Sequence, residues 1–317
     1  ALYTPLYPEA TMAGAYAHLT MVTITGSPKE IAGLGGLDNR TIGPLLTYAK
    51  YTQLGAVSPD YPYLHLGNKA SAAWADAMHY YRTGDRLKQG AAYVRALQGE
   101  TRYKALAWLL GFASHIITDV SIHPVVELKT GPYADDPKGH RVCEMHQDVF
   151  IYDRLNMGDI FGDAFICNGL SACSAPDAPD RLDPLIVEVW SHMLKRIDTE
   201  HYEESSPAFH KWHAGFHRML GMAGNGRFIP LGRHMVADQG LVYPKTPDDD
   251  YIRQLRIPGG GHMDYQDIFD KARANVRRCW AQLALYCLTD TAEDLSFIRN
   301  WNLDTGRDET GRITMWE

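Results

Sequence analysis

Ala107-Trp108-Leu109-Leu110-Gly111-Phe112-Ala113-Ser114-His115-Ile116-Ile117-Thr118-Asp119 lies in a long apolar segment, Thr101–His123, and its reading decides the fold. The segment has the composition and length of a buried helix, with no period-two alternation. It carries His115, Asp119 and His123 at steps of four residues. Each step is about 400° of helical rotation, so the three lie on one face and fan by roughly 80°. Polar groups set among Leu106, Trp108, Leu109, Phe112 and Ile116 are costly to bury unless they are paired or bind a metal.

A second segment, Lys138–Leu155, repeats the pattern with His140, Glu144 and Asp148. Two helices with stripes of imidazole and carboxylate are what a metal site in a helical core needs. Both donor types suit Zn²⁺. One His–Asp pair alone reads as a buried hydrogen bond; two stripes favour metal.

Working outward, the rest of the chain also reads as helices: Met12–Ile24, Ile42–Gly55, Ala70–Tyr81, Asp85–Leu97, Pro184–Asp198, Pro207–Met222 and Tyr265–Cys287. Pro124 is expected to end or kink the long helix. Ala56–Tyr63 and Cys167–Leu182 read as loops, and the tail from Asn302 as polar turns around Gly306 and Gly311. The stretch around 223–263 is punctuated by Gly and Pro and reads as an irregular insertion. The expectation is one all-α domain over 1–317, a helical bundle with that insertion.

Outside the two stripes, His18 lies in a small-residue helix. Asp60 sits between Pro59 and Pro62, rigidly placed as a ligand or simply in a turn; His65 and His79 are its two candidate imidazole partners. His210, His213 and His217 recur at i, i+3 and i+7 without carboxylates and read as a solvated or half-buried face.

The composition fits this picture. The chain has 317 residues, 31 Lys+Arg against 38 Asp+Glu, 45% hydrophobic residues and 14 histidines. A net charge of −7 with no basic run disfavours a stable nucleic-acid partner. Ser114, His115, Thr118 and Asp119 interrupt the best apolar stretch, so no transmembrane segment is expected. The five cysteines contain no CxxC pair. Cys167 and Cys173 flank a short loop and are either bridged or, like the others, free thiols. The chain begins at Ala1, which leaves a secreted or periplasmic location open if a leader is removed, and a cytoplasmic one otherwise.

Together these residues resemble the zinc-dependent phospholipase C family, whose fold is shared with zinc-dependent single-strand nucleases. The resemblance rests on Gly111-x-x-x-His115-x-x-x-Asp119, on the Gly55–Asp60 element ending Pro59-Asp60, and on His140-x-x-x-Glu144. His123, four beyond Asp119, is similar to the branch that contains the N-terminal region of GPI-specific phospholipase D. The resemblance implies an all-α fold with three zinc ions. One would take Asp60, His79, His115 and Asp119; the second His123, His140 and Glu144; the third His18 with a share of Asp119. His65 is the reserve for His79, and Asp148 would hold an imidazole N–H.

The implied activity is phosphodiester hydrolysis, with Asp60 a ligand and candidate general base, a phospholipid or other phosphodiester as substrate, and Tyr61, Tyr63, Tyr80 and Tyr81 around the cleft. A single-strand nuclease and a metalloenzyme for a small metabolite are the alternatives on the same scaffold. A non-catalytic zinc module is disfavoured, because a structural site needs only four ligands.

Overall fold

Apolar side chains surround one helix of 32 residues, Gly99–Thr130, and nearly every residue from Ala105 to Val126 is buried. A helix apolar on all sides belongs at the centre of a domain. The computed structural model describes residues 14–34, 39–156, 169–223, 243–290 and 294–317. In chain order, α1 (Ala15–Thr25), α2 (Pro28–Ala32), α3 (Asn39–Thr47) and α4 (Ala49–Val57) lead into a 3-10 helix, Ser58–Leu64. Next come α5 (Lys69–Tyr80), α6 (Thr83–Ala96), the central α7 (Gly99–Thr130) and α8 (Pro137–Tyr152). A small hairpin, β1 (Ser174–Ala175) and β2 (Ala178–Leu182), precedes α9 (Pro184–Ile197), α10 (Thr199–Glu204) and α11 (Phe209–Ala223). A second hairpin, β3 (Leu255–Arg256) and β4 (His262–Met263), leads into α12 (Tyr265–Leu288). The fold is predominantly helical and single-domain.

Local chemistry sets the helix starts. Asn68 accepts from Ser71 N, Asp136 from Gly139 N and Asp183 from Leu185 N. Pro137 and Pro184 follow two of these caps, where a missing N–H costs nothing.

The α4 and α7 backbones cross in close contact. A Cβ at Gly55 would stand 2.0 Å from the Trp108 carbonyl oxygen, and one at Gly111 2.0 Å from that of Thr52. Only paired glycines let the two backbones approach so far. The contact brings the end of α4, and with it Asp60, against the face of α7 that carries His115.

Several expectations need correction. Pro124 does not end α7, which runs six residues beyond it. Proline removes the N–H that would bond the Val120 carbonyl, and the tail packs there instead: a Cβ at Gly306 would lie 2.7 Å from Val120 O and 2.5 Å from Pro124 Cγ. By length and hydropathy α7 would suit a membrane, but its apolar window is wholly buried in this fold. The expected helix Ile42–Gly55 is two helices that break at Tyr48, where the Thr47 hydroxyl donates back to Gly43 O at 3.2 Å. Residues 58–64 form a 3-10 helix rather than a loop, and part of the expected loop 167–182 pairs as β1–β2. Of the expected insertion, 224–242 falls outside the described residues, as do Cys167 and the start of the first expected helix; Cys173 is a buried free thiol.

From Asn302 the expected turns around Gly306 and Gly311 are present, with Gly306 N donating to Asn302 O and Gly311 N to Asp308 O, each at 2.9 Å, and the wider segment 294–317 also packs onto the helices. It crosses the ends of α5, α6 and α7 with Ile298, Trp301 and Leu303 buried. Thr83 Oγ1 donates to Trp301 O at 2.9 Å, Leu303 N to His79 O at 3.0 Å, and Trp316 Nε1 to Ser121 O at 2.8 Å.

Candidate metal centre

α7 places Asp119 at the middle of the buried polar face. One of its oxygens lies 3.1 Å from His18 Nε2 and 3.7 Å from His123 Nε2; the other is 3.1 Å from His115 Nε2. From α8, Glu144 Oε1 stands 3.1 Å from His123 Nε2 and 3.7 Å from His140 Nε2. From the 3-10 helix, Asp60 Oδ1 meets His79 Nε2 at 3.2 Å. His79 Nε2 in turn lies 3.3 Å from His115 Nε2. Three groups therefore have the spacing to hold a metal ion: His18, His115 and Asp119; Asp60, His79 and His115; His123, His140 and Glu144.

The imidazoles are oriented by their other nitrogens. Nδ1 of His79 faces Ala75 O at 2.8 Å, that of His115 faces Ala56 O at 2.9 Å, and that of His123 faces Leu303 O at 2.9 Å. A carbonyl only accepts, so each Nδ1 carries hydrogen and each Nε2 is the nitrogen turned toward the cleft, a ligand once any proton on it is displaced. In the neutral rings, the Nε2 lone pairs of His79 and His115 then face each other. Two lone pairs at that range repel unless a proton or a metal cation lies between them. The donor set, imidazole nitrogen with carboxylate oxygen, fits zinc.

Electrostatics agree. Burial works against charge at every group. At Asp119 the imidazoles of His115, His123 and His18 outweigh it and hold the carboxyl well below its usual range. Asp60 is lowered in the same way by His115 and His79, and Glu144 by His140 and His123. Burial lowers His115 and His140. His79 and His123 go the other way despite burial: the bond and charge of Asp60 raise His79 to about 9, and Asp119 and Glu144 raise His123 to about 10.

The cleft between these groups encloses about 50 Å³, room for roughly four water-sized atoms. All eight expected ligands line it, as do Tyr63 and Tyr80. Tyr63 donates to Asp76 at 2.9 Å, and Tyr80 is hydrogen-bonded to Asp304.

Other expected residues lie elsewhere. His65 is bonded to Ser71 Oγ at 3.0 Å and is not part of the cleft. Tyr61 is fully buried and its hydroxyl meets His213 Nδ1 at 2.7 Å, because neighbours on a 3-10 helix diverge by about 120°. Tyr81 is 38% exposed and not a wall of the cleft. Asp148 does not hold an imidazole. It accepts from Gly14 N at 3.2 Å, Ala17 N at 2.7 Å and the Tyr243 hydroxyl at 2.7 Å, so it fastens the start of α1, the helix that carries His18. Burial raises its carboxyl to about 7 against those donors. The expected half-buried face on α11 is half right: His210 and His217 are partly exposed, whereas His213 is fully buried.

Sequence reading missed Tyr133, Arg141 and Asp304, which also line the cleft. Arg141 donates to the Tyr133 hydroxyl at 3.0 Å. Its position next to His140 was the available signal; nothing local pointed to Asp304.

The family described as zinc dependent phospholipase C matches residues 17–200, a span that contains all eight converging groups. No curated protein and no solved structure matches the chain.

Proposed function

Since the chain belongs to the zinc-dependent phospholipase C family and is a zinc-dependent hydrolase by that membership and its metal-binding clusters, we propose that it cleaves phosphodiesters, phospholipids foremost, at a cleft for three zinc ions. Asp60, His79, His115 and Asp119 would hold one ion, and His123, His140 and Glu144 a second. His18 would hold the third with the other oxygen of Asp119. His115 has a single free nitrogen, so it can serve one ion only, although it is near two of the groups.

The observation that carries this reading is the pair of Nε2 atoms at 3.3 Å between His79 and His115, beside the carboxylates of Asp60 and Asp119. When bound, zinc supplies a water acidic enough to ionise near neutral pH and positive charge for the non-bridging phosphate oxygens. Asp60, kept ionised by its imidazole neighbours, is the acceptor for a proton of the attacking water. Arg141 supplies a fixed cation at the cleft wall, suited to a phosphate oxygen. Tyr63 and Tyr80 give the mouth aromatic walls with their hydroxyls tied to Asp76 and Asp304.

The test is elemental analysis of the purified chain together with hydrolysis of phosphatidylcholine, single-stranded DNA and a generic phosphodiester. About three zinc per chain with cleavage of the phospholipid is expected. Cleavage of DNA alone would transfer the site to nuclease chemistry, and absence of bound metal would overturn the reading.

A further inference from the structure

A second pair of imidazoles stands outside the cleft. His213 and His217 lie one turn apart on α11, with their Nε2 atoms 3.2 Å from each other. Ser174 Oγ, from β1, is 2.8 Å from the first and 3.2 Å from the second. A tetrahedral zinc ion with Zn–N bonds of about 2.0–2.1 Å needs its two nitrogens about 3.3–3.4 Å apart. The His79–His115 pair in the cleft stands at 3.3 Å, so the two pairs have nearly the same nitrogen spacing.

The hydrogens can all be directed away from the point where these three atoms converge. Ser171 O and Pro179 O each lie 2.7 Å from the Ser174 hydroxyl, so its proton has an acceptor and its oxygen can turn lone pairs inward. His213 Nδ1 can donate to the Tyr61 hydroxyl at 2.7 Å, which frees Nε2. The Asp180 carboxylate bears on both rings and would offset part of a cation's charge. His213 is fully buried while His217 and Ser174 are partly exposed, which gives an ion an entry path.

We propose that His213 and His217 chelate one divalent transition metal, with Ser174 Oγ as a weaker third contact. Imidazole pairs with little carboxylate favour zinc, nickel or copper over magnesium or calcium. The site is distinct from the cleft, but His213 also holds Tyr61, the neighbour of Asp60. An ion here would therefore brace the 3-10 helix that presents Asp60.

The test compares the full chain with His217→Ala by zinc titration of metal-free protein against a competing chelator. Only the difference between the two proteins is read, so the result does not depend on how many ions the cleft takes. The expected result is one equivalent fewer in His217→Ala, with far-UV circular dichroism unchanged. Equal stoichiometry would overturn the proposal and leave the pair as a hydrogen-bonded cluster, with Tyr61 donating to His213. Ser174→Ala keeps both imidazoles and is expected to retain the ion. If it loses the same equivalent as His217→Ala, the imidazole pair does not suffice to hold the ion, and the proposal of a two-histidine chelate fails.

Discussion

His123 Nδ1 donates to the main-chain carbonyl of Leu303 at 2.9 Å, across 180 residues of chain. The same peptide segment acts in the other direction, since Leu303 N donates to the carbonyl of His79 at 3.0 Å. One residue of the tail, outside the matched span of 17–200, thus anchors two of the proposed zinc ligands. It also fixes the tautomer that turns His123 Nε2 toward Glu144.

Moving the tail should therefore weaken metal binding without touching a ligand. Gly306 has φ +65°, and a Cβ there would collide with Pro124 and the Val120 carbonyl. Gly306→Ala is expected to lower stability by about 1–3 kcal/mol and zinc affinity by roughly tenfold or more. Chelator competition and urea unfolding read the two effects separately. Unchanged zinc affinity in this variant would mean that the tail only covers the centre.

The glycine crossing of α4 and α7 makes a sharper stability prediction. At Gly111 an added methyl would meet backbone on all sides, with Thr52 O at 2.0 Å and Ala56 N at 2.8 Å. Neither can rotate away, so Gly111→Ala should cost about 3 kcal/mol or more. Because the same crossing sets Ala56 O against His115 Nδ1, zinc content should fall along with the urea midpoint. A variant of native stability would show that α4 can slide.

These residues also mark how far the sequence could be read. Helical periodicity turns a spacing of four into a shared face, so the convergence of His115, Asp119 and His123, and likewise of His140 and Glu144, is legible in the sequence. The glycines of the Gly55–Asp60 and Gly111–Asp119 elements were visible too, but their reason, a backbone crossing, is tertiary. Periodicity places Asp148 on the same side of α8 but does not say which neighbour it meets, and the start of α1 and the Tyr243 hydroxyl take up its oxygens instead of an imidazole. Tyr61 was misplaced because 3-10 rather than irregular geometry separates it from Asp60. Leu303 and Asp304 left no local trace, since contacts made across most of the chain follow no short period.

Asp119 is the most exacting position in the cleft. Its two oxygens are shared among His18, His115 and His123, and an amide would replace one of them with a donor. Asp119→Asn preserves shape and volume, so folding should survive while zinc content drops and hydrolysis is abolished. Elemental analysis beside a phospholipid assay checks both; full activity would remove Asp119 from the ligand set.

Zinc binding should depend on pH with a definite sign. In the metal-free protein His79 is raised to about 9 and His123 to about 10, so both are protonated at neutral pH. A metal ion must displace those protons. Affinity is therefore expected to climb from pH 6 through pH 9 and to level off once both groups are neutral. Calorimetry in buffers of different ionisation enthalpy should find proton release at pH 7. The metal-free fold shows the opposite trend. Groups raised above their unfolded value of 6.5 contribute stability that is fully present below that value and is lost as pH passes about 9 to 10. Unfolding midpoints of metal-free and zinc-loaded protein should consequently diverge as pH rises, and midpoints that stay parallel across that window would mean that neither histidine gives up a proton to the metal.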